Sequence, residues 1–235
     1  MKRFIGQFNL KKNQLNIESE RIYHHAVNVL RMKKGDQFVL GDGRGNVSEA
    51  TIRKIGDNFI RVGIENMKRS SREQDINLTL YCSILKSGNF DWVVRKCTEI
   101  GVTRIVPFVS ERTVKTGLKY DRLRKIALQA AEQSKRGVLP QVEEKISLDS
   151  FDNFEAFDQL LVPYVGAQKK LNSFISSLKK ESLSKVGVFV GPEGGFTEDE
   201  VEFLENYGAD CVGLGSFVLR SETAAVVSSF SVING

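Results

Sequence analysis

The stretch VGVFVGPEGGFTEDEVEFL, residues 186–204, runs from an apolar segment through a glycine-rich turn, Gly191-Pro192-Glu193-Gly194-Gly195, into an acidic helix. A glycine-rich turn between strand and helix is a natural phosphate cradle. The spacing here fits neither G-x-G-x-x-G nor G-x-x-x-x-G-K-[ST]. Glu193 sits in the turn, and Glu198, Asp199 and Glu200 follow at the start of the helix, so an anion placed there would meet several carboxylates. The favoured chemistry is recognition of a cation, or of ribose hydroxyls through backbone groups. S-adenosylmethionine, with a sulfonium, an amino group, a ribose and no phosphate, fits that chemistry. A purely structural Gly-Pro turn carrying a surface glutamate is the alternative.

A second stretch, CVGLGSFVLRSETAAVV at residues 211–227, carries a further pair of charges. A strand over 209–214 ends at Leu214-Gly215, and an irregular segment reaches Ser221, where a nearly uncharged helix begins. A helix apolar on every face must be buried, against a sheet or a partner subunit. Arg220 and Glu222 at its mouth are costly to bury unless they are used. An ordinary Arg–Glu surface pair is the competing reading.

The elements that must position these turns fall into two groups. Residues 1–66 read as mostly strand, with turn signals KKGD, DGRGN and GDN and one helix over 18–31. Five or so short strands with one helix predict a small β-barrel-like module. The hydrophilic MKRSSREQD, residues 67–75, carries no periodicity and marks a boundary, giving domains 1–70 and 71–235. From Ile76 strands alternate with helices: strand 76–84, helix 89–101, strand 104–109, helix 120–136, strand 157–165, helix 169–180, strand 185–191, helix 197–208, strand 210–215 and helix 221–233. That rhythm predicts an α/β domain with a parallel sheet covered on both faces. Thr197 and Glu200 form a capping-box pattern. The glycine turn therefore leaves the carboxyl end of a strand, where open α/β sheets bind ligands.

Charge divides along the same boundary. Residues 1–72 hold 15 Lys and Arg against 7 Asp and Glu, whereas the remainder is mildly acidic. A basic module beside an acidic one suggests that the first meets a polyanion. Cys82, Cys97 and Cys211 are odd in number and lack CxxC spacing, which excludes a disulfide framework and a zinc ribbon. His24 and His25 have no Cys or His partners at ligand spacing, so no metal is expected. No apolar run approaches the roughly 18 residues needed to span a bilayer, and no signal-type segment follows the basic N-terminus, so the expected location is the cytoplasm.

GPEGGFTEDE followed by LGSFVLRSETAA resembles the ribosomal small subunit methyltransferase E family, of the knotted SPOUT class. The likeness continues through DWVVRKCTEIGVTRIVPFVSERT, KIALQAAEQSKRGVLPQV and HHAVNVLRMKKGD, and so spans almost the whole chain. The resemblance implies an N-terminal PUA-like β-barrel for RNA and a C-terminal domain tied in a trefoil knot, an exception to unthreaded connections. It implies a homodimer that uses S-adenosylmethionine to methylate N3 of a uridine in 16S small-subunit ribosomal RNA. The cofactor would lie among three loops: near Pro163 and Tyr164; at Gly191, Pro192, Glu193, Gly194 and Gly195; and at Leu214, Gly215, Val218 and Leu219, with Thr223 and Ala224 at the helix start. Family sequences carry a basic residue in the last loop, L-G-x-R-[IV]-L-R, where this chain has Phe217; the later Arg220 is retained.

Within that reading Arg220 is expected to stabilise charge developing on the uracil oxygens, and Glu222 is the candidate base. The target N3 lies on the Watson–Crick edge, so the uridine must be unpaired or flipped out. RNA contact is expected from Lys2, Arg3, Arg31, Lys33, Lys34 and Arg44, with a second basic face at Arg122, Arg124, Lys125, Lys135 and Arg136. The competing functions are a SPOUT methyltransferase acting on another RNA such as transfer RNA, a non-catalytic ribosome-assembly factor, and a nucleotide-binding α/β protein. The missing phosphate motifs disfavour the last.

Overall fold

A computed structural model describes residues 1–71, 73, 75–86, 88–151, 156–177 and 183–235, in two compact units. Unit 1 comprises Met1–Glu73 and Ala131–Leu139; unit 2 comprises Gln74–Ala130 and Pro140–Gly235.

Unit 1 is built on a five-stranded sheet from β1 (Arg3–Ile5), β2 (Gln14–Ile17), β3 (Gln37–Gly41), β4 (Asn46–Ile55) and β5 (Ile60–Arg69), in the order β1-β3-β4-β5-β2. Only β1–β3 is parallel. Alternating residues of these strands bury Phe4, Phe38, Leu40, Ala50, Ile52, Ile60 and Val62 in one core with Ile22 and Ala26. The single helix expected over 18–31 is a short α1 (Glu20–Tyr23) that widens into a π-helical turn, His24–Val29. There Leu30 N–H reaches back to the His25 carbonyl at 2.9 Å. A wide turn of this kind has no compositional signature.

Segment 131–139 completes unit 1. Glu132, 6% exposed, accepts from Arg21 Nη1 through both carboxylate oxygens at 3.0 Å and accepts the Ile5 N–H at 2.9 Å. Arg136 pairs with Glu73 at 3.1 Å, and Arg3 donates to the Lys135 carbonyl.

Unit 2 carries β6 (Asn77–Ser83), β7 (Arg104–Val109), β8 (Gln141–Val142), β9 (Ile146–Ser147), β10 (Gln159–Pro163), β11 (Lys185–Val190) and β12 (Ala209–Val212). Their order is β12-β10-β11-β6-β7-β8, with β9 also on β7, and every pairing is parallel. The two-residue β8 and β9 are too short to show a pattern in sequence. The helices are α2 (Asn89–Ile100), α3 (Tyr120–Gln133, whose last three residues belong to unit 1), α4 (Leu171–Ser177), α5 (Glu198–Asn206) and α6 (Ser221–Asn234). The expected extension of the helix over 178–180 lies outside the described residues.

Strands β6 and β11 are buried at almost every position, as a sheet covered on both faces requires. One face is an aromatic core in which Tyr81 stacks on Phe189 at 4.3 Å, with Phe108, Phe151 and Phe196 around them. Helix α6 packs on β6, β11 and α2, so its uncharged sequence is answered by burial of Ala225, Ser228, Ser229, Val232 and Ile233.

Candidate functional site

Because β10, β11 and β12 are neighbours and run parallel, the loops at their carboxyl ends emerge on one edge of the sheet. Together they enclose a cavity of about 760 Å³. It is lined from the first loop by Pro163 and Tyr164, and from the second by Gly191, Pro192, Glu193, Gly194 and Gly195. The third loop and the start of α6 add Leu214, Gly215, Val218, Leu219, Arg220, Glu222 and Ala224. Thr223 is half-buried and does not line it.

Each loop is held by backbone chemistry. Gly213 N–H donates to the Lys169 carbonyl at 2.7 Å and Leu171 N–H donates to the Gly213 carbonyl at 3.0 Å, which locks the first and third loops together. The second closes through Gly195 N–H to the Pro192 carbonyl at 2.9 Å, with Gly195 at φ 70, a conformation glycine adopts without penalty. A side chain on Gly191 would approach the Phe196 ring to 3.1 Å, so glycine lets the chain pass close to that buried ring without displacing it.

The acidic residues around the glycine turn separate into different jobs. Glu193 accepts the Lys86 N–H at 2.9 Å, which ties the turn to the segment preceding α2. Thr197 and Glu200 make the reciprocal capping box of α5, and Glu200 also accepts the Glu111 N–H at 2.8 Å. Glu198 and Asp199 are exposed in the first turn of α5, where a helix favours negative charge, and they do not line the cavity. Of the four carboxylates expected to confront an anion here, only Glu193 lines it.

Arg220 and Glu222 do not form the ordinary surface pair of the competing reading. Arg220 is exposed and supplies the N-cap position of α6 through its backbone. Glu222 instead accepts from Asn89 Nδ2 at 3.2 Å through Oε1, and its Oε2 is buried with no hydrogen-bond partner. Phe217 is 85% exposed on the cavity wall.

Asn89 and Arg112 are among the residues of this site that escaped sequence reasoning. Asn89 lines the cavity from the start of α2, and Arg112 clamps the glycine turn from outside. Arg112 falls within the stretch DWVVRKCTEIGVTRIVPFVSERT and Asn89 just before it, but nothing local marks either, because each acts through a neighbour distant in the chain. Burial pushes Cys82 well above and Cys97 up to about 12, so neither thiol is a nucleophile near neutral pH. Among the described residues no group of His, Cys, Asp and Glu is arranged to hold a metal ion, and no helix is long and apolar enough to cross a membrane.

The basic residues expected to meet RNA also separate. Arg31, Lys33, Lys34, Arg44 and Lys135 are exposed, and Lys2 is half-buried. Arg3 and Arg136 are a correction: at 9% and 5% exposure, with Arg3 on the Lys135 carbonyl and Arg136 on Glu73, they brace the interior of unit 1. A buried guanidinium is tolerated only when so committed, which keeps its charge from solvent. In unit 2 Arg122 pairs with Asp91 and Arg124 with Glu144, while Lys125 is exposed.

A family model described as an RNA methyltransferase domain matches residues 72–233, and one described as an RNA methyltransferase PUA domain matches residues 19–65. The ribosomal RNA small subunit methyltransferase E of Bacillus subtilis is 35% identical, over 86% of this chain and 82% of its own length. That of Rickettsia conorii is 30% identical over 96% and 91%. A crystal structure of the ribosomal RNA small subunit methyltransferase E from Neisseria gonorrhoeae, bound to S-adenosyl methionine, superposes with a TM-score of 0.84 at 30% identity, covering 97% of this chain and 95% of that one. With matches of this extent to both parts of the sequence, the chain belongs to the ribosomal RNA small subunit methyltransferase E family.

Proposed function

We propose that this protein uses S-adenosylmethionine to methylate N3 of a uridine in 16S small-subunit ribosomal RNA, in the cytoplasm and as a homodimer. The observation that carries the reading is the cavity: three interlocked loops at the carboxyl edge of a parallel sheet, lined by backbone and by one carboxylate with a buried, unpartnered oxygen. The residues fit the cofactor. Gly191 leaves room where a Cβ would crowd Phe196, Glu193 suits a cationic ligand, and about 760 Å³ falls in the range of small-molecule sites. Pro163, Tyr164, the 191–195 turn, Leu214, Gly215, Val218, Leu219 and Ala224 would hold it, with Thr223 behind them.

When bound, the cofactor supplies an electrophilic methyl group. The chain's own contribution is alignment and exclusion of water, worth up to about 7–11 kcal/mol where geometry is well fixed. Arg220 offers its charge to the uracil oxygens, and Glu222 accepts the proton.

The finer architecture follows the same reading. The clasp of Gly213 by Lys169 and Leu171 supports a trefoil knot, in which the 213–220 segment threads the 164–170 loop. The five-stranded sheet of unit 1 and the PUA match support a PUA-like barrel that presents Lys2, Arg31, Lys33, Lys34 and Lys135 to RNA. Exposed Phe230 on α6 and Trp92 on α2 support a subunit interface on these two packed helices.

The test is transfer of labelled methyl from S-adenosylmethionine to small ribosomal subunits lacking the modification, beside free ribosomal RNA and transfer RNA. Label at a uridine N3 of the small-subunit RNA is the expected result. Cofactor binding with label on none of these RNAs overturns the substrate assignment.

A further inference from the structure

The most demanding feature of the cavity is one oxygen atom. Glu222 is held through Oε1 by the Asn89 amide at 3.2 Å, while Oε2 is buried without a partner. A carboxylate oxygen removed from water and given no donor is unfavourable, and a ligand in the cavity that draws the side chain outward would supply one. Both residues line the cavity, Asn89 as the first residue of α2 and Glu222 as the second of α6. These helices pack on one another, and Cys97 Sγ lies 3.9 Å from the Ala225 carbonyl between them, so two packed elements set the carboxylate's orientation.

We propose that Asn89 is a positioning residue that acts through Glu222: it occupies one carboxylate oxygen so that the other, once a bound ligand draws it into the cavity, is left to accept the imide N–H of a pyrimidine Watson–Crick edge. This rests on the function proposed above. In the step the N–H bond breaks, its electron pair stays on nitrogen, and the proton passes to Oε2. A neutral carboxylic acid and a nucleophilic nitrogen result, and water later removes the proton. A neutral amide suits this role better than Lys or Arg would. A full positive charge beside the carboxylate would hold it ionised and weaken it as a base, whereas an amide fixes its direction with less effect on basicity.

The test uses Glu222→Gln, Asn89→Ala and the isosteric Asn89→Asp, which lacks the donor. Cofactor affinity is read by calorimetry, and kcat and KM are read across pH on small subunits lacking the modification, with thermal melting as a check on folding. Glu222→Gln is expected to lower kcat by roughly 10²- to 10⁴-fold, the usual share of general-base catalysis. The Asn89 variants are expected to lower kcat by up to about a hundredfold through misplacement of the base. KM should be unchanged, so that the loss lies in kcat alone. Cofactor affinity should be unchanged in all three. Parallel losses of cofactor affinity would give Glu222 to the cofactor and overturn the proposal, as would an Asn89→Ala variant with unchanged kcat. Wild-type protein that binds cofactor and methylates no small subunit would instead overturn the parent reading, and this proposal with it.

Discussion

Arg112 grips the glycine turn without entering the cavity. Its Nη1 donates to the Gly194 carbonyl at 3.0 Å and, at 3.3 Å, to that of Phe196. The stem of Arg112 lies where a side chain on Gly194 would come within 3.3 Å, so the arginine and the glycine fit each other. Phe196 in turn lies parallel to Phe108, with ring centroids 6.0 Å apart, which anchors the far end of the turn in the aromatic core. The turn that lines the cavity is thereby fixed from both sides.

Removing this grip should therefore weaken ligand binding before it weakens folding. Hydrogen bonds from a charged donor contribute about 1.5–3 kcal/mol, less where water competes. For Arg112→Ala we expect roughly a tenfold rise in the Kd for S-adenosylmethionine, equivalent to about 1.4 kcal/mol, with an intermediate rise for Arg112→Lys. Calorimetry on the folded variants decides it, and an unchanged Kd would show that the turn keeps its shape unaided.

The parallel sheet, the order of strands and helices in unit 2 and the buried nature of α6 were legible in the sequence. Period and apolar content report burial directly, and the Thr197–Glu200 box announces a helix start in four residues. Contacts between distant residues were not legible. Arg3 and Arg136 read as basic surface, yet Arg3 finds the Lys135 carbonyl 132 positions away and Arg136 finds Glu73. Asn89 and Glu222 are 133 positions apart, and nothing local to either announces the other. Composition indicates that a charge must be satisfied when buried, but only the fold shows whether it is buried.

His25 makes the stability of unit 1 sensitive to mild acid. Its half-buried ring meets Phe4 edge-on at 5.7 Å. Burial first, then the charge of Lys2, lowers its pKa below the usual 6.5; Arg21 and His24 add to the effect and Glu132 opposes it. The folded state then binds a proton less readily than the unfolded chain. Stability is therefore complete above the unfolded value and falls as pH drops below it. Urea midpoints should decline between about pH 7.5 and about pH 5.5, and His25→Gln should flatten the decline. An equal decline in that variant would assign the effect to other groups.

The lysines after α1 and the buried arginines should respond to substitution in opposite ways. Lys33 and Lys34 are exposed, and the Lys33 backbone N–H is held by Asp36 at 2.7 Å, so a change of side chain leaves the turn intact. If they neutralise phosphates, each alanine substitution should reduce the slope of log K against log salt for small-subunit RNA by about 0.7–0.9 per lost contact, without altering the melting temperature. Arg3→Ala and Arg136→Ala should do the reverse. Each removes a buried guanidinium and its hydrogen bond to the Lys135 carbonyl or the Glu73 carboxylate, and should lower thermal stability by several degrees while leaving the salt slope of the folded fraction as it was. A salt slope that follows Arg136 rather than Lys33 and Lys34 would mean that the RNA-facing surface of unit 1 lies elsewhere.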